Sequence, residues 1–291
     1  MVPACFWPES REVPAKSTPG PRAREWVAAV DATRYIDSTY DRALHWGGPG
    51  AADLLTVRAV ALLRAAPVCL YAGTYLDPEV LGHCAPGAEL IDTQHLDLDR
   101  IIAHCVRAHG EGKDVVRLCS GDPSLYSALT EQARRLDGHG IPWDVTPGVP
   151  AYAAAAAVLG AELTVPEVTQ SVVLTRTRVR STVMPESEAL VNFARTRATL
   201  ALHLAITRAR TLAAELAREY GPDCPAVVVY RASQPEQRVL RGTLSDIADR
   251  VEAAGLRQAA VILVGRALAP ALDCAPSHLY DPARERHSSP G

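Results

Sequence analysis

From residue 53 onward, short apolar runs that end in glycine, serine or alanine alternate with longer segments in which apolar residues recur at helical spacing. Residues 53–66 have the helical pattern, 67–73 (PVCLYAG) form a short apolar run closed by glycine, and 114–120 (DVVRLCS) form another such run. Strands that alternate with helices are joined by helical crossovers, so they pair mainly in parallel. The alternation therefore predicts an α/β fold.

A second α/β series follows a polar connector that contains proline, at 163–170 (LTVPEVTQ). In this series the apolar runs at 226–232 and 237–244 are close in sequence, which implies a hairpin and antiparallel pairing. We therefore expect two α/β domains, the first with a mainly parallel sheet and the second with a mixed sheet. The expected division is a partly disordered N-terminal extension at 1–44, domains at 45–163 and 168–270, and a tail at 271–291.

Composition excludes several classes of function. The formal net charge is −3, so the chain has no basic surplus of the kind that dedicated nucleic-acid binders carry. No apolar run approaches the roughly 20 residues needed to cross a bilayer, and the N-terminus lacks the apolar core of a signal peptide. The seven cysteines are scattered, with no ligand-spacing cluster, so we expect reduced thiols and no metal site. A cytoplasmic protein without nucleic-acid or membrane partners is expected.

Three loops rich in glycine or proline follow predicted strands, at 47–50 (GGPG), 120–125 (SGDPSL) and 147–150 (PGVP). The carboxyl ends of strands form the edge at which open α/β sheets bind ligands. The first loop has neither the lysine of a Walker loop nor a full GxGxxG, so it is a poor phosphate site and equally suits a tight turn. Asp122 places a carboxylate beside the open backbone of the second loop, although it could instead be a helix N-cap or turn residue.

Taken together and in this order, the loops resemble those of the tetrapyrrole methylase family. The similarity covers roughly residues 46–283, and it points to the precorrin-4 C11-methyltransferase branch. The stretches that carry it are 71–81 (YAGTYLDPEVL), 114–129 (DVVRLCSGDPSLYSAL), 144–176 (DVTPGVPAYAAAAAVLGAELTVPEVTQSVVLTR), 228–244 (VVYRASQPEQRVLRGTL) and 277–282 (SHLYDP).

The resemblance implies a two-domain fold with an active-site trough between the domains. It also implies C-methylation of a corrin-pathway tetrapyrrole in cobalamin biosynthesis, most specifically of precorrin-4 at C11. The methyl donor would be S-adenosyl-L-methionine, which leaves as S-adenosyl-L-homocysteine, and the family commonly forms homodimers. Mapped by motif, the cofactor contacts would be Pro49, Ser120, Gly121, Asp122, Leu125, Pro150, Ala151, Leu204 and Ala232.

No catalytic nucleophile or base is assigned, because the sulfonium is already a good leaving group and the enzyme has mainly to align the reactants and exclude water. Asp122 is expected to organise the cofactor. The implied substrate carries many carboxylates, for which arginine is the natural partner, so Arg176, Arg178 and Arg231 are candidate substrate contacts. The alternative for these arginines is a solvated charged loop. His203, inside an apolar strand, is expected to be a core histidine with a backbone partner.

The first loop departs from the family pattern, because Trp46 stands where the first glycine is usual and Ala51-Ala52 replace Asp-Pro. Three alternatives to C11 methylation stay open at this point. They are a sister methyltransferase acting on another carbon, a non-catalytic homologue that binds tetrapyrrole or cofactor, and a nucleotide-phosphate enzyme.

Overall fold

The fold is described from a computed structural model, which covers residues 44–46, 50–73, 76–177 and 184–269. Several sequence predictions concern residues outside these ranges: the extension before Leu44, the tail at 271–291, and the individual residues Pro49 and Arg178.

The first sheet is parallel throughout and its strand order is β3-β2-β4-β1-β5. Its strands are β1 (Leu44–Trp46), β2 (Val68–Tyr71), β3 (Glu89–Asp92), β4 (Val115–Leu118) and β5 (Trp143–Val145). The helices between them are α1 (Val57–Ala65), α2 (Leu98–Gly110) and α3 (Leu129–Gly138), with 3₁₀ turns at Ala52–Leu54 and Pro78–His83. The predicted parallel sheet is confirmed.

Strand β2 shows why the central strands of this sheet are apolar along their whole length. Leu70 is fully buried against Leu136 of α3, whereas its neighbour Cys69 is buried on the opposite face, with Leu63 of α1. Helices cover both faces, so successive side chains of a central strand both find an apolar environment.

The second sheet is mixed and its strand order is β6-β7-β10-β8-β9. Its strands are β6 (Val172–Arg176), β7 (Thr199–His203), β8 (Pro225–Tyr230), β9 (Arg238–Thr243) and β10 (Ala260–Val264). Strands β6 and β7 pair in parallel, and the other pairs are antiparallel, including the predicted β8–β9 hairpin. The accompanying helices are α4 (Ala151–Leu159), α5 (Leu190–Ala194), α6 (Ala209–Tyr220) and α7 (Ile247–Ala253), with 3₁₀ turns at Glu186–Glu188, Ile206–Arg208 and Arg266–Leu268.

Two segments with a helical pattern are interrupted. The pattern at 53–66 contains a 3₁₀ turn, after which α1 begins anew because the Thr56 side chain caps it, accepting a hydrogen bond from the Ala59 N–H at 3.2 Å. The sequence also predicts a helix at about 186–196, but the structure splits this segment at Ala189 into a 3₁₀ turn and the short α5.

The alanine-rich helix α4 follows the first sheet but packs on the second. Ala155 is fully buried in a cluster with Ala201, Val227 and Leu263, which belong to three strands of the second sheet. Alanine has high helix propensity, and its small side chain lets the helix approach the sheet closely. The chain thus leaves the third loop directly into a contact with the second sheet.

Among the described residues, no helix combines the length and the apolar character that a bilayer crossing requires.

Candidate active site

The strand order of the first sheet places the three strands that precede the predicted loops side by side. Strands β4, β1 and β5 are neighbours and run parallel, so the segments that follow them leave from one edge. The chain continues from β1 to β2 on one side and from β4 to β5 on the other, and α1 and α3 cover opposite faces. Such a reversal opens a crevice at the carboxyl ends of the strands, where α/β sheets bind ligands.

Asp122 links the second loop to the third. Its Oδ1 accepts hydrogen bonds from the Ser124 N–H, at 2.8 Å, and from the Ser124 hydroxyl, and its Oδ2 accepts one from the Gly148 N–H at 3.1 Å. Burial alone would raise the pKa of Asp122, but the hydrogen bonds from Ser124 and Gly148 outweigh it and hold this pKa below its usual value. Helix α3 begins only at Leu129, so Asp122 is a turn residue that also joins two loops, and not a helix N-cap.

The second loop also passes close to the start of α4. Gly121 has φ +84°, a conformation that favours glycine, and a Cβ added to it would lie 3.8 Å from the Ala151 nitrogen and 3.9 Å from the Pro150 Cα. Four predicted cofactor residues, Gly121, Asp122, Pro150 and Ala151, therefore belong to one connected patch. Ser120 and Leu125 flank this patch on the second loop, with Ser120 exposed and Leu125 half-buried.

Gly50, the last residue of the first loop, meets a loop of the second sheet. A Cβ added to Gly50 would lie 2.9 Å from the Gln234 Nε2 and 3.4 Å from the Ala232 carbonyl oxygen. Ala232, predicted as a cofactor contact from the second domain, is thus next to the residue that follows Pro49 in the first loop.

A further contact between the two sheets forms at the end of β7. His203 is buried, with its ring centroid 5.5 Å from that of Tyr126 and 6.4 Å from that of Tyr152 in α4. Tyr126 belongs to the segment between β4 and α3 that begins with the predicted loop at 120–125, and this whole segment is called the second loop from here on. The expected burial of His203 is confirmed, but its Nε2 has no hydrogen-bond partner within the part of the chain that the structure describes. Burial lowers the pKa of His203, which keeps the ring neutral. The next residue, Leu204, is 60% exposed despite its apolar side chain.

Backbone strain concentrates around these contacts. Eight non-glycine residues of the described chain have positive φ, and five of them lie in the loops that follow β4, β7 and β8: Tyr126, Ala128, Leu204, Arg231 and Ser233. The left-handed region costs roughly 1–2 kcal/mol for an L-residue. Strain of this kind is characteristic of ligand-binding sites, where the surrounding structure maintains it.

Buried polar atoms without partners show a similar distribution. Five of the seven such atoms among the described residues lie at the last residue of strands β5 to β8 or just after it: the Oγ1 atoms of Thr146 and Thr177, the His203 Nε2, the Arg231 Nε and the Ser233 Oγ. The other two belong to Asp114 and Arg117, before and within β4. Nearly all buried polar groups in native proteins are hydrogen-bonded.

The two candidate arginines within the described residues differ in their surroundings. Arg231 bonds to Glu236, with Nη1 3.3 Å from Oε2, and its guanidinium lies 5.7 Å from the ring centroid of Tyr230. Arg176, half-buried at the end of β6, makes no ion pair with the described carboxylates and is level with His203 in the parallel β6–β7 register. The guanidinium of Arg176 is therefore more available than that of Arg231 to bind an anionic group.

Three residues that form contacts in this region were not predicted from the sequence: Tyr126, Gly148 as the donor to Asp122, and Gln234. Tyr126 was within a recognised motif, but its role becomes visible only when β7 places His203 beside it. Within the described ranges, no group of histidine, cysteine or acidic side chains is arranged to hold a metal ion.

Known proteins match this chain along most of its length. Residues 47–248 match the family model described as Tetrapyrrole (Corrin/Porphyrin) Methylases. The chain is 54% identical over 239 residues to a precorrin-4 C(11)-methyltransferase of Rhodococcus erythropolis, covering 82% of this chain and 96% of the relative. It is 39% identical over 235 residues to a cobalt-precorrin-4 C(11)-methyltransferase of Methanocaldococcus jannaschii, covering 80% of this chain and 90% of that protein.

Solved structures show the same fold. A cobalt precorrin-4 methyltransferase of cobalamin biosynthesis superposes with a TM-score of 0.75 at 38% identity, covering 78% of this chain and 96% of that one. A uroporphyrin-III C-methyl transferase from Thermus thermophilus, complexed with S-adenosyl homocysteine, superposes with a TM-score of 0.65 at 31% identity, covering 78% of this chain and 98% of that one.

Proposed function

Because this chain belongs to the tetrapyrrole methylase family, we propose that it transfers the methyl group of S-adenosyl-L-methionine to C11 of precorrin-4, a step of cobalamin biosynthesis. One observation carries the proposal: segments that follow two strands of the first sheet contact the second sheet at the carboxyl ends of its strands, Gly50 with Ala232 and Tyr126 with His203. The match to the family model, at residues 47–248, covers both sets of loops.

The residues of this region fit the methyl donor. The rim is small and apolar at Ala151, Leu204 and Ala232, which suits an adenosine held by packing and main-chain hydrogen bonds. We assign the cofactor contacts to Pro49, Ser120, Gly121, Asp122, Leu125, Pro150, Ala151, Leu204 and Ala232, and the site to a trough between domains at 45–163 and 168–270.

S-adenosyl-L-methionine supplies an electrophilic methyl on a sulfonium. The chain's own contribution is positional. Asp122 is engaged by Ser124 and Gly148, so it fixes the shape of two loops and has no role as a base. Apolar walls exclude water, so the tetrapyrrole carbon meets the methyl in line without competition from hydrolysis.

The substrate's carboxylates would pair with Arg176, with support from Arg178 and Arg231. We further propose that the protein works as a cytoplasmic homodimer. The location follows from its reactants, since both are intermediates of intracellular metabolism, and the dimer follows from the common state of the family.

The test is a turnover experiment with methyl-¹³C-labelled S-adenosyl-L-methionine and enzymatically prepared precorrin-4, with the product mapped by NMR. A labelled methyl at C11 supports the proposal. A methyl on another carbon would identify a sister enzyme. Cofactor binding by calorimetry without any transfer would identify a non-catalytic homologue, and tight binding of a dinucleotide without S-adenosyl-L-methionine binding would identify a different class of enzyme.

A further inference from the structure

Beside the contacts described above lies a cavity of about 300 Å³. One wall is strand β6 at residues 173–176, the opposite wall is the segment from Met184 to Phe193, and Tyr126 of the second loop closes one side. The cavity is therefore built from elements of both sheets, next to the residues that are assigned to the cofactor but largely separate from them.

Strand β6 is the first strand of its sheet and has only β7 as a described neighbour. Its outer edge therefore presents backbone N–H and C=O groups that no described strand pairs. A ligand in the cavity can bond to this edge as well as to side chains.

The charged groups of the cavity have opposite signs and lie on opposite walls. Arg176 is on β6 and makes no ion pair with the described carboxylates, and Glu188 is exposed on the facing segment. Both charges act on the hydroxyl of Tyr126. Burial is the main cause that raises the pKa of this hydroxyl; Arg176 lowers the pKa and Glu188 raises it. The cavity thus offers donors to an anionic group and an acceptor to an N–H group.

The remaining surface is apolar, with Val173 on one wall and Phe193 on the other. Pockets for small molecules span about 300–1,000 Å³, so a cavity at the lower end of this range can take part of a tetrapyrrole but not the whole macrocycle. One pyrrole ring has the matching features: an apolar face, an N–H donor and carboxylate side arms.

We propose that this cavity holds one pyrrole unit of the substrate, with Arg176 and the Tyr126 hydroxyl binding a carboxylate side arm and Glu188 accepting a hydrogen bond from a ring N–H. This subsite rests on the proposed function, because it assumes a tetrapyrrole substrate. The site selects for carboxylated pyrroles and sets which edge of the macrocycle is turned away from the methyl donor.

The sequence supplies a direct reporter of the cavity. The chain contains only two methionines, Met1 and Met184, and Met184 lines the cavity. The full-length protein labelled with methyl-¹³C-methionine therefore has two methyl signals, one of which reports on this site. The probe is porphobilinogen, a single pyrrole that carries an acetate and a propionate side chain.

On titration with porphobilinogen, the Met184 signal should shift and saturate while the Met1 signal stays in place. Arg176→Gln should weaken this binding by about tenfold or more, because it removes a charge-assisted hydrogen-bonding partner. Tyr126→Phe should weaken it by a smaller factor. The matched control is Arg218→Gln, which removes an exposed arginine of α6 and should leave the titration unchanged.

Three results would overturn the subsite. The first is the absence of a Met184 shift at millimolar porphobilinogen. The second is an equal effect of Arg176→Gln and Arg218→Gln on porphobilinogen binding. The third is a Met184 shift caused by S-adenosyl-L-homocysteine in competition with porphobilinogen, which would mean that the cavity binds the nucleoside. Methylation assays separate this outcome from failure of the proposed function. If the protein methylates precorrin-4 but does not bind porphobilinogen, only the subsite proposal is wrong. If porphobilinogen binds in a way that depends on Arg176 but precorrin-4 is not methylated, only the C11 assignment is wrong.

Discussion

The Asp122 carboxylate accepts a hydrogen bond from the Gly148 N–H at 3.1 Å, although the two residues are 26 positions apart. Their loops follow β4 and β5, two strands that β1 separates in the sheet. The bond therefore joins the loops that follow the two strands on either side of β1 and fixes their relative position at that edge of the sheet.

Replacing Asp122 tests this link. Asp122→Ala leaves the Gly148 N–H and the Ser124 N–H without their acceptor, so we expect a loss of about 1–3 kcal/mol in the free energy of unfolding. S-adenosyl-L-homocysteine should bind at least about tenfold more weakly, since the loops lose their common shape. Urea denaturation and calorimetry provide the two measurements.

The control is Asp99→Ala, which removes an exposed carboxylate that pairs with Arg135 on the surface. Exposed ion pairs contribute about 0–1 kcal/mol, so this variant should be nearly unchanged in stability and unchanged in binding. Equal losses in the two variants would show that the Asp122 link has no special role.

Leu204 combines a left-handed backbone, with φ 52°, and a side chain that is 60% exposed. Leu204→Gly relieves the strain at little cost in buried apolar area, so we expect the free protein to gain about 1 kcal/mol in stability. The same change removes an apolar contact from the proposed cofactor site, so S-adenosyl-L-homocysteine binding should weaken.

Arg197→Gly is the matched control for Leu204, because Arg197 is exposed with φ 54° in the turn before β7. It should stabilise the protein by a similar amount while leaving cofactor affinity intact. If Leu204→Gly stabilises the protein and binds the cofactor as tightly as the wild type, Leu204 is not a cofactor contact.

His203 predicts a specific dependence of stability on pH. Burial places the folded-state pKa of His203 below its unfolded value, which is about 6.5. The unfolded state therefore binds more protons in this window, and the contribution of the neutral ring is complete above about pH 6.5 and declines as the pH falls. Denaturation curves from pH 7.5 to 5 should show a steeper loss of stability for the wild type than for His203→Phe. Parallel curves would contradict the burial of a neutral imidazole.

The contact between the first loop and the loop after β8 can be tested with a double-mutant cycle. The added methyl of Gly50→Ala would lie 2.9 Å from the Gln234 Nε2, so the glutamine side chain has to move. We expect weaker S-adenosyl-L-homocysteine binding in Gly50→Ala and partial recovery when Gln234→Ala is added. Strictly additive effects would mean that the two loops do not interact during binding.

Features that depend on local sequence were predictable. The alternation of strands and helices, the β8–β9 hairpin and the loops at 120–125 and 147–150, each after a strand, follow from periodicity and chain connectivity, and the structure has them. The capping of α1 by Thr56, which interrupts an apolar helical pattern, shows where a local hydrogen bond overrides periodicity.

Features that depend on pairing between distant segments were not predictable. The ring contact of Tyr126 with His203 requires β7 to lie beside the second loop, and no pattern in either segment specifies this. The same applies to Arg231, which looked equivalent to Arg176 in sequence but pairs with Glu236 through a tight turn. Strand order and side-chain partners arise from tertiary packing, which a single sequence does not display.

Whether loops from both sheets form one methyl-donor site is best decided by a crystal structure of this protein grown with S-adenosyl-L-homocysteine. We expect the ligand in contact with Gly121, Pro150, Leu204 and Ala232, with the cavity beside Arg176 left open for substrate. A ligand bound away from these loops, or one that fills the Arg176 cavity, would show that they do not form this site.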